Sequence, residues 1–282
     1  MKRITDYALW PFLVLGTALV TWLLLDFTSI PPMVVTPLVV GPFTALVLLL
    51  EKVRPEWQAP PRDQPLLFEA LHFVLSFELG YGLSLLASEA VGRGVRAAIA
   101  MPSWPSHWPL ALQVFVGIVV YESTSYWQHR WLHRYRRLFR FHALHHSGAR
   151  LEWSRAVRFH MVDIGTAGFV AYVPLVIFAT PDRVFTMMGV VLSVIGLLQH
   201  GNIRVRTPRW LDWLVCTPAV HRVHHSALRE ESNCNFANSV MVFDHVFGTY
   251  GAPKRPEGPE RMGLTGDPVP RTFVAQIVDP FR

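Results

Sequence analysis

The sequence predicts an all-α integral membrane protein with about four to six transmembrane helices or hairpins, and three observations carry that prediction. Of its 282 residues, 51% are hydrophobic and only 16% charged, too apolar for an ordinary soluble chain of this size. Several nearly uncharged runs approach the roughly 20 residues that a helix needs to cross a bilayer. The basic residues behind the formal charge of +6 fall between those runs. They do not lie on polar helices with interspersed Gly and Ser, which argues against a nucleic-acid binder and for orientation in a membrane.

The apolar segments run over roughly 8–25, 33–50, 66–90, 108–127, 164–179 and 183–199. The first belongs to "MKRITDYALWPFLVLGTALVTWLLLDF", a basic start and a long apolar stretch without a small-residue cleavage site. It reads as a retained span, not a signal peptide. The second is also nearly free of charge. The third, "LLFEALHFVLSFELGYGLSLLASEAV", contains Glu69, His72, Glu78 and Glu89. These side chains are costly in lipid, so this helix is expected to turn a polar face toward protein. "TPD" at 180–182 splits the last two segments too tightly for a folded loop, and a re-entrant hairpin and a double crossing both stay open. Beyond residue 200 the chain is more polar, and "GAPKRPEGPERMGLTGDPVP" at 251–270 reads as an irregular surface tail.

The basic residues set the orientation. Lys2 and Arg3 precede the first segment, and Lys52, Arg54 and Arg62 follow the second. Residues 129–160 hold eight arginines and one acid, Glu152. With alternating crossings, the N-terminus, the 51–65 linker and the 129–160 region all fall on the cytoplasmic side. A hairpin at 164–199 returns the chain there, so every dense histidine cluster shares that compartment.

Eight of the thirteen histidines are clustered. "HRWLH" spaces His129 and His133 at i, i+4; "HALHH" places His142, His145 and His146 at i, i+3, i+4; "HRVHH" repeats that spacing with His221, His224 and His225. On a helix such residues share a face, so each cluster aims its imidazoles in one direction. Neutral imidazole is a ligand for zinc, iron and copper. Eight donors exceed what one metal takes, which implies two. Arg130 stands where a zinc-peptidase HExxH motif needs its glutamate, removing the general base of that reading. His200, in "LLQHGN" where the last apolar segment ends, is expected to join the ligands. His160 is expected either to bind metal or to support a ligand, and both options stay open. His72, His107 and His245 read as satisfied or interfacial side chains. Cys216 and Cys234 are too few for a disulfide framework and read as small buried residues, although they lie near the later histidines.

Taken together, "YWQHRWLH", "FHALHHS", "TPAVHRVHHS" and "NFANSVMVFDHVFGTY" resemble the fatty acid hydroxylase and sterol desaturase superfamily over roughly 66–250. The resemblance divides the chain into N-terminal transmembrane helices and linker (1–65), the family-like domain (66–250) and the C-terminal tail (251–282). It implies membrane spans capped by a cytosolic helical domain whose histidines hold a non-haem di-iron centre. The implied reaction uses O2 and two electrons to hydroxylate or desaturate a C–H bond of a lipid such as a fatty acyl lipid, sterol or carotenoid. His129, His133, His142, His145, His146, His221, His224 and His225 match the family's ligands, and His200 a further family histidine with Asn202 beside it. Glu122, two helical turns before His129, stands where the family has Asp and would hydrogen-bond a ligand imidazole. Asp244 matches a similar supporting position. Phe236, Ala237, Phe243 and His245 depart from the family's usual Tyr, Gly, Trp and Arg, and Met161 stands where Pro is common. These departures spare the ligands and bear on the substrate pocket.

Breaking an aliphatic C–H bond needs redox chemistry that side chains and zinc lack. The resemblance therefore implies iron, O2 as co-substrate and electrons from a separate donor: a ferredoxin, a cytochrome b5 or a reductase. A membrane metal transporter would instead line its spans with histidines and acids. A bis-histidine haem protein would pair isolated histidines across spans.

Overall fold

The computed structural model describes residues 2–58, 62, 64–149, 151–265 and 269–282. The side chains of Lys2 and Arg3, together with Arg150 and the part of the tail at 266–268, lie outside the described residues. In lipid the backbone must satisfy its own hydrogen bonds, and the apolar runs do so as helices. These are α1 (Lys2–Phe27), α2 (Pro32–Val53), α3 (Leu66–Ala98), α4 (Leu110–Arg134), α5 (Arg136–His146), α6 (Met161–Ile177) and α7 (Asp182–His200). Short helices α8 (Arg209–Leu214), α9 (Pro218–His224), α10 (Arg229–Ser232), α11 (Val242–Val246) and α12 (Phe273–Val278) follow. Among the described residues no strand forms, only the isolated bridges Val215–Val240 and Ser226–Met262.

The protein is an all-α integral membrane protein: α1 (from Ile4), α2, α3 and α7 are each long and apolar enough to cross a membrane, and α6, with 17 residues, is shorter. Pro32 starts α2 in its first turn, where a missing N–H costs nothing. The fourth apolar segment continues further than its hydropathy suggests. α4 runs on to Arg134, so "HRWLH" is the polar end of an apolar helix.

The third segment's polar face is only half realised. Glu69 and His72 are buried against protein, Glu69 with Arg158 at 3.3 Å and His72 Nε2 with Gln276 Oε1 at 2.7 Å. Glu78 is exposed instead, and Glu89 pairs with Arg93 one turn along its own helix. α3 is π-helical over Phe73–Tyr81. There Gly80 lets it approach α6 so closely that a Cβ would lie 3.0 Å from the Met161 carbonyl oxygen.

One end of the helix set collects the polar chain. Asp6 near the start of α1 pairs with Arg54 just after α2, and Glu51 at the end of α2 accepts from the Trp153 and Asn202 amides at 2.8 and 2.9 Å. The start of α3 meets Arg158, and the start of α6 meets α5 through Asp163. The ends of α4 and α7 open onto the same place and carry His129, His133 and His200 there. The histidine clusters thus gather together where these helix ends meet.

Candidate metal centre

Nine buried histidines form two adjacent sets. The first contains His129 and His133 from α4, His142 and His146 from α5, and His224 from α9. The second contains His145 from α5, His200 from the end of α7, His221 from α9, and His225 just beyond it. Within each set the ligand nitrogens lie within 4.8 Å of one another. The sets touch: the His146 and His225 rings stack with centroids 4.4 Å apart.

Each HxxHH cluster is divided between the two sets. In "HALHH" the i, i+4 pair His142 and His146 serves the first set, while His145, rotated off that line, serves the second. "HRVHH" does the reverse, sending His221 and His225 to the second set and His224 to the first.

The ring nitrogens are prepared for a cation. His129 Nδ1 donates to the Phe236 carbonyl at 2.7 Å and His142 Nδ1 to Asp163 Oδ2 at 2.7 Å. His200 Nδ1 donates to the Gly196 carbonyl at 2.7 Å, and His224 Nδ1 to that of Cys234 at 2.8 Å. A neutral ring whose Nδ1 carries the proton presents a bare lone pair at Nε2. Yet the Nε2 atoms of His129 and His142 face each other at 3.0 Å, and His224 Nε2 is buried without a hydrogen-bond partner, as is His133 Nε2. In the second set, His200 Nε2 lies 3.0 Å from His221 Nε2 and 3.2 Å from His145 Nε2. Lone pairs facing one another in a dry site repel, and a metal ion converts that conflict into ligation.

An all-imidazole donor set suits a transition metal such as iron, copper or zinc. Burial and neighbouring imidazoles hold His145, His146, His221 and His225 well below the usual histidine range, and burial takes His224 down to about 3. The rings therefore stay neutral, as ligands must be.

The supporting residues differ from expectation. Glu122 does not touch an imidazole; its carboxylate accepts from the Asn238 amide at 3.1 Å and the Ser239 hydroxyl at 2.5 Å. Asp244 accepts from the Phe236 and Ala237 amides at 2.9 and 2.8 Å and from Thr249 Oγ1 at 2.7 Å. The two acids converge on loop 236–239, whose Phe236 carbonyl orients His129. The carboxylate that does contact a ring is Asp163. The sequence signal for it is a lone acid at the start of the otherwise uncharged segment 161–177.

His160 belongs to neither set. Its Nδ1 accepts from the Val162 amide at 3.1 Å, capping α6, and its Nε2 meets the Ile277 carbonyl at 3.1 Å. Both nitrogens are thus committed to backbone, because the residue sits at a helix start rather than on a face shared with the clusters. Asn202 likewise holds backbone: Oδ1 accepts from the Glu56 and Trp57 amides at 3.1 and 3.3 Å, and Nδ2 donates to the Trp57 carbonyl at 2.9 Å. His245 bonds the Trp213 carbonyl, and neither Cys216 nor Cys234 joins a set.

Comparison with known proteins places this arrangement. A fatty acid hydroxylase family model matches residues 114–249, which include both histidine sets, Glu122, Asp163 and Asp244. An ornithine lipid hydroxylase, OlsE of Rhizobium tropici, is 35% identical over 245 residues, covering 84% of this chain and 72% of that protein. Human alkylglycerol monooxygenase is 30% identical over 149 residues, 53% of this chain and 32% of its own length. A Delta(7)-sterol 5(6)-desaturase of Gibberella zeae is 26% identical over 150 residues, 51% and 43% of the two chains. No solved structure matches.

Proposed function

The chain belongs to the fatty acid hydroxylase family, and from that premise we propose that it is a non-haem di-iron oxygenase that hydroxylates a C–H bond of an ornithine-type membrane lipid. The observation that carries the di-iron reading is the pair of buried sets in which bare Nε2 atoms face one another at 3.0 Å. The lipid class rests on the ornithine lipid hydroxylase, which aligns with most of both chains. Hydroxylation is favoured over desaturation on the same ground, since the sterol desaturase aligns with about half of this chain.

Iron held there would supply the O2 chemistry by which, with two electrons and two protons, one oxygen atom enters the C–H bond and the other leaves as water. The chain's own residues do the rest. His129, His133, His142, His146 and His224 would hold one ion and His145, His200, His221 and His225 the other. Asp163 fixes the His142 ring, while Glu122 and Asp244 fix the loop that orients His129. Burial of all nine rings excludes bulk water, and their place at one end of the membrane helices brings them to a substrate dissolved in the bilayer.

The arginine-rich 129–160 region supports a cytoplasmic side for this end. A separate protein there (a ferredoxin, a cytochrome b5 or a reductase) would supply the electrons. The functional unit is residues 66–250, with 1–65 and 251–282 as the membrane-anchoring and tail segments. A metal transporter is not favoured, because the histidines cluster beyond the spans instead of lining them.

The test is expression of the full chain in a host that makes ornithine lipids, with lipids read by mass spectrometry. The expected product is an ornithine lipid heavier by one oxygen atom from labelled O2, absent with His145→Ala. Unchanged lipids beside a folded, iron-loaded protein would overturn the substrate class, and a folded protein that binds no iron would overturn the reaction.

A further inference from the structure

Residues 51–57 lie outside the matched family segment, yet they reach the second histidine set through a dense polar network. Asn202, two residues after His200, holds the backbone of Glu56 and Trp57 with three hydrogen bonds. Arg204 donates its amide to the Arg54 carbonyl at 2.8 Å. Glu56 grips Arg206 through both oxygens at 2.7 and 2.9 Å, and its carboxylate lies 4.0 Å from Arg222.

Arg222 is the centre of this network. It follows His221 directly and is fully buried. Its Nη2 donates to the carbonyls of Gly201 and Ile203 at 3.1 Å each, tying α9 to the chain that leaves α7. Its guanidinium lies 4.7 Å from the centre of the Trp57 ring, a cation–π contact. On the other side Gly258, at φ +96°, packs so closely that a Cβ would fall 2.7 Å from the Arg222 Cβ. A buried guanidinium needs such compensation, and here the Gly201 and Ile203 carbonyls share it with Glu56 and Trp57 of the linker.

Resting on the two-metal reading above, we infer that Glu56, Trp57, Asn202 and Arg222 form a latch that positions His200 and His221 for the second metal. Among the described residues the supports of the first set run instead through Asp163, the Cys234 carbonyl and loop 236–239. The linker after α2 is therefore part of the metal centre, and the latch residues are positioning residues that touch neither metal nor substrate.

Counting metal per chain in the full-length protein, purified in detergent with iron supplied, tests the inference. The wild type is expected to hold about two irons and Trp57→Ala about one. Trp57→Phe, which keeps a ring face for the guanidinium, should return to about two, and Glu56→Gln should resemble Trp57→Ala. Adding His221→Ala to Trp57→Ala should cost nothing more, because both act on one metal, whereas adding His133→Ala should remove the remaining iron. A wild type with fewer than two irons overturns the two-metal reading. A two-iron wild type beside a two-iron Trp57→Ala overturns only the latch, as does loss of both metals in Trp57→Ala.

Discussion

The two histidine sets share helices but are supported differently. The first has five imidazoles, and one of them, His142, leans on the Asp163 carboxylate. The second has four, and there His200 Nδ1 donates to the Gly196 carbonyl of its own helix. Any acceptor behind an imidazole N–H fixes the ring's tautomer and raises its basicity, and an anionic carboxylate makes the stronger hydrogen bond. The two sets are therefore asymmetric, five imidazoles with a carboxylate behind one of them against four imidazoles without.

The sharpest break of this contrast comes from the ligands. His224→Ala and His225→Ala alter neighbouring residues that serve different sets. Each is expected to abolish oxygenation, with His224→Ala removing the first metal and His225→Ala the second. Elemental analysis joined to iron spectroscopy checks this, and identical spectra from the two variants would contradict the allocation. Next in size, Asp163→Asn should weaken the first metal by roughly 10- to 100-fold in a chelator competition and leave the second unchanged. Equal weakening of both would remove the asymmetry.

Acidification has a smaller and calculable effect. The buried rings of His145, His146, His221, His224 and His225 bind protons less readily folded than unfolded. Above the unfolded value of about 6.5 neither state is charged and they contribute no pH dependence. As pH falls below 6.5 the unfolded chain takes up protons first, and stability is lost progressively toward the folded values, about 3 for His224. The thermal midpoint of metal-free protein should be level from pH 8 to 7 and decline steadily from 6.5 to 4. A level midpoint across the whole range would show that the rings are not buried as described. Smallest of all, His160→Ala should keep the full metal content and lose about 1 kcal/mol through the missing cap of α6.

Much of this was legible in the sequence, and the exceptions share a physical cause. The clusters and their shared i, i+3 and i+4 faces are local properties of a helix, visible in "HALHH" and "HRVHH". The hydropathy runs likewise anticipate α1, α2, α3 and α7. Which metal each histidine serves depends on how α4, α5, α7 and α9 cross, and no spacing encodes that. His160 lies near the clusters in sequence, yet it sits at a helix start where the backbone claims both nitrogens. Glu122 and Asp244, expected beside a ligand imidazole, instead hold loop 236–239. Asp163, Glu56 and Trp57 escaped notice because each is a single ordinary residue whose partner is more than 20 positions away: His142, Arg206 and Arg222.

The crossed use of the two HxxHH helices has one further consequence. Because α5 and α9 each carry donors for both sets, the offset between the sets is gauged by the rise and rotation within single helical turns. Rocking of α4 against α7 would shift His129 and His133 relative to His200 and leave that gauge unchanged. The protein thus carries a fixed calliper at the end of a deformable lipid-embedded frame, and adjustment to a bulky lipid falls to the frame.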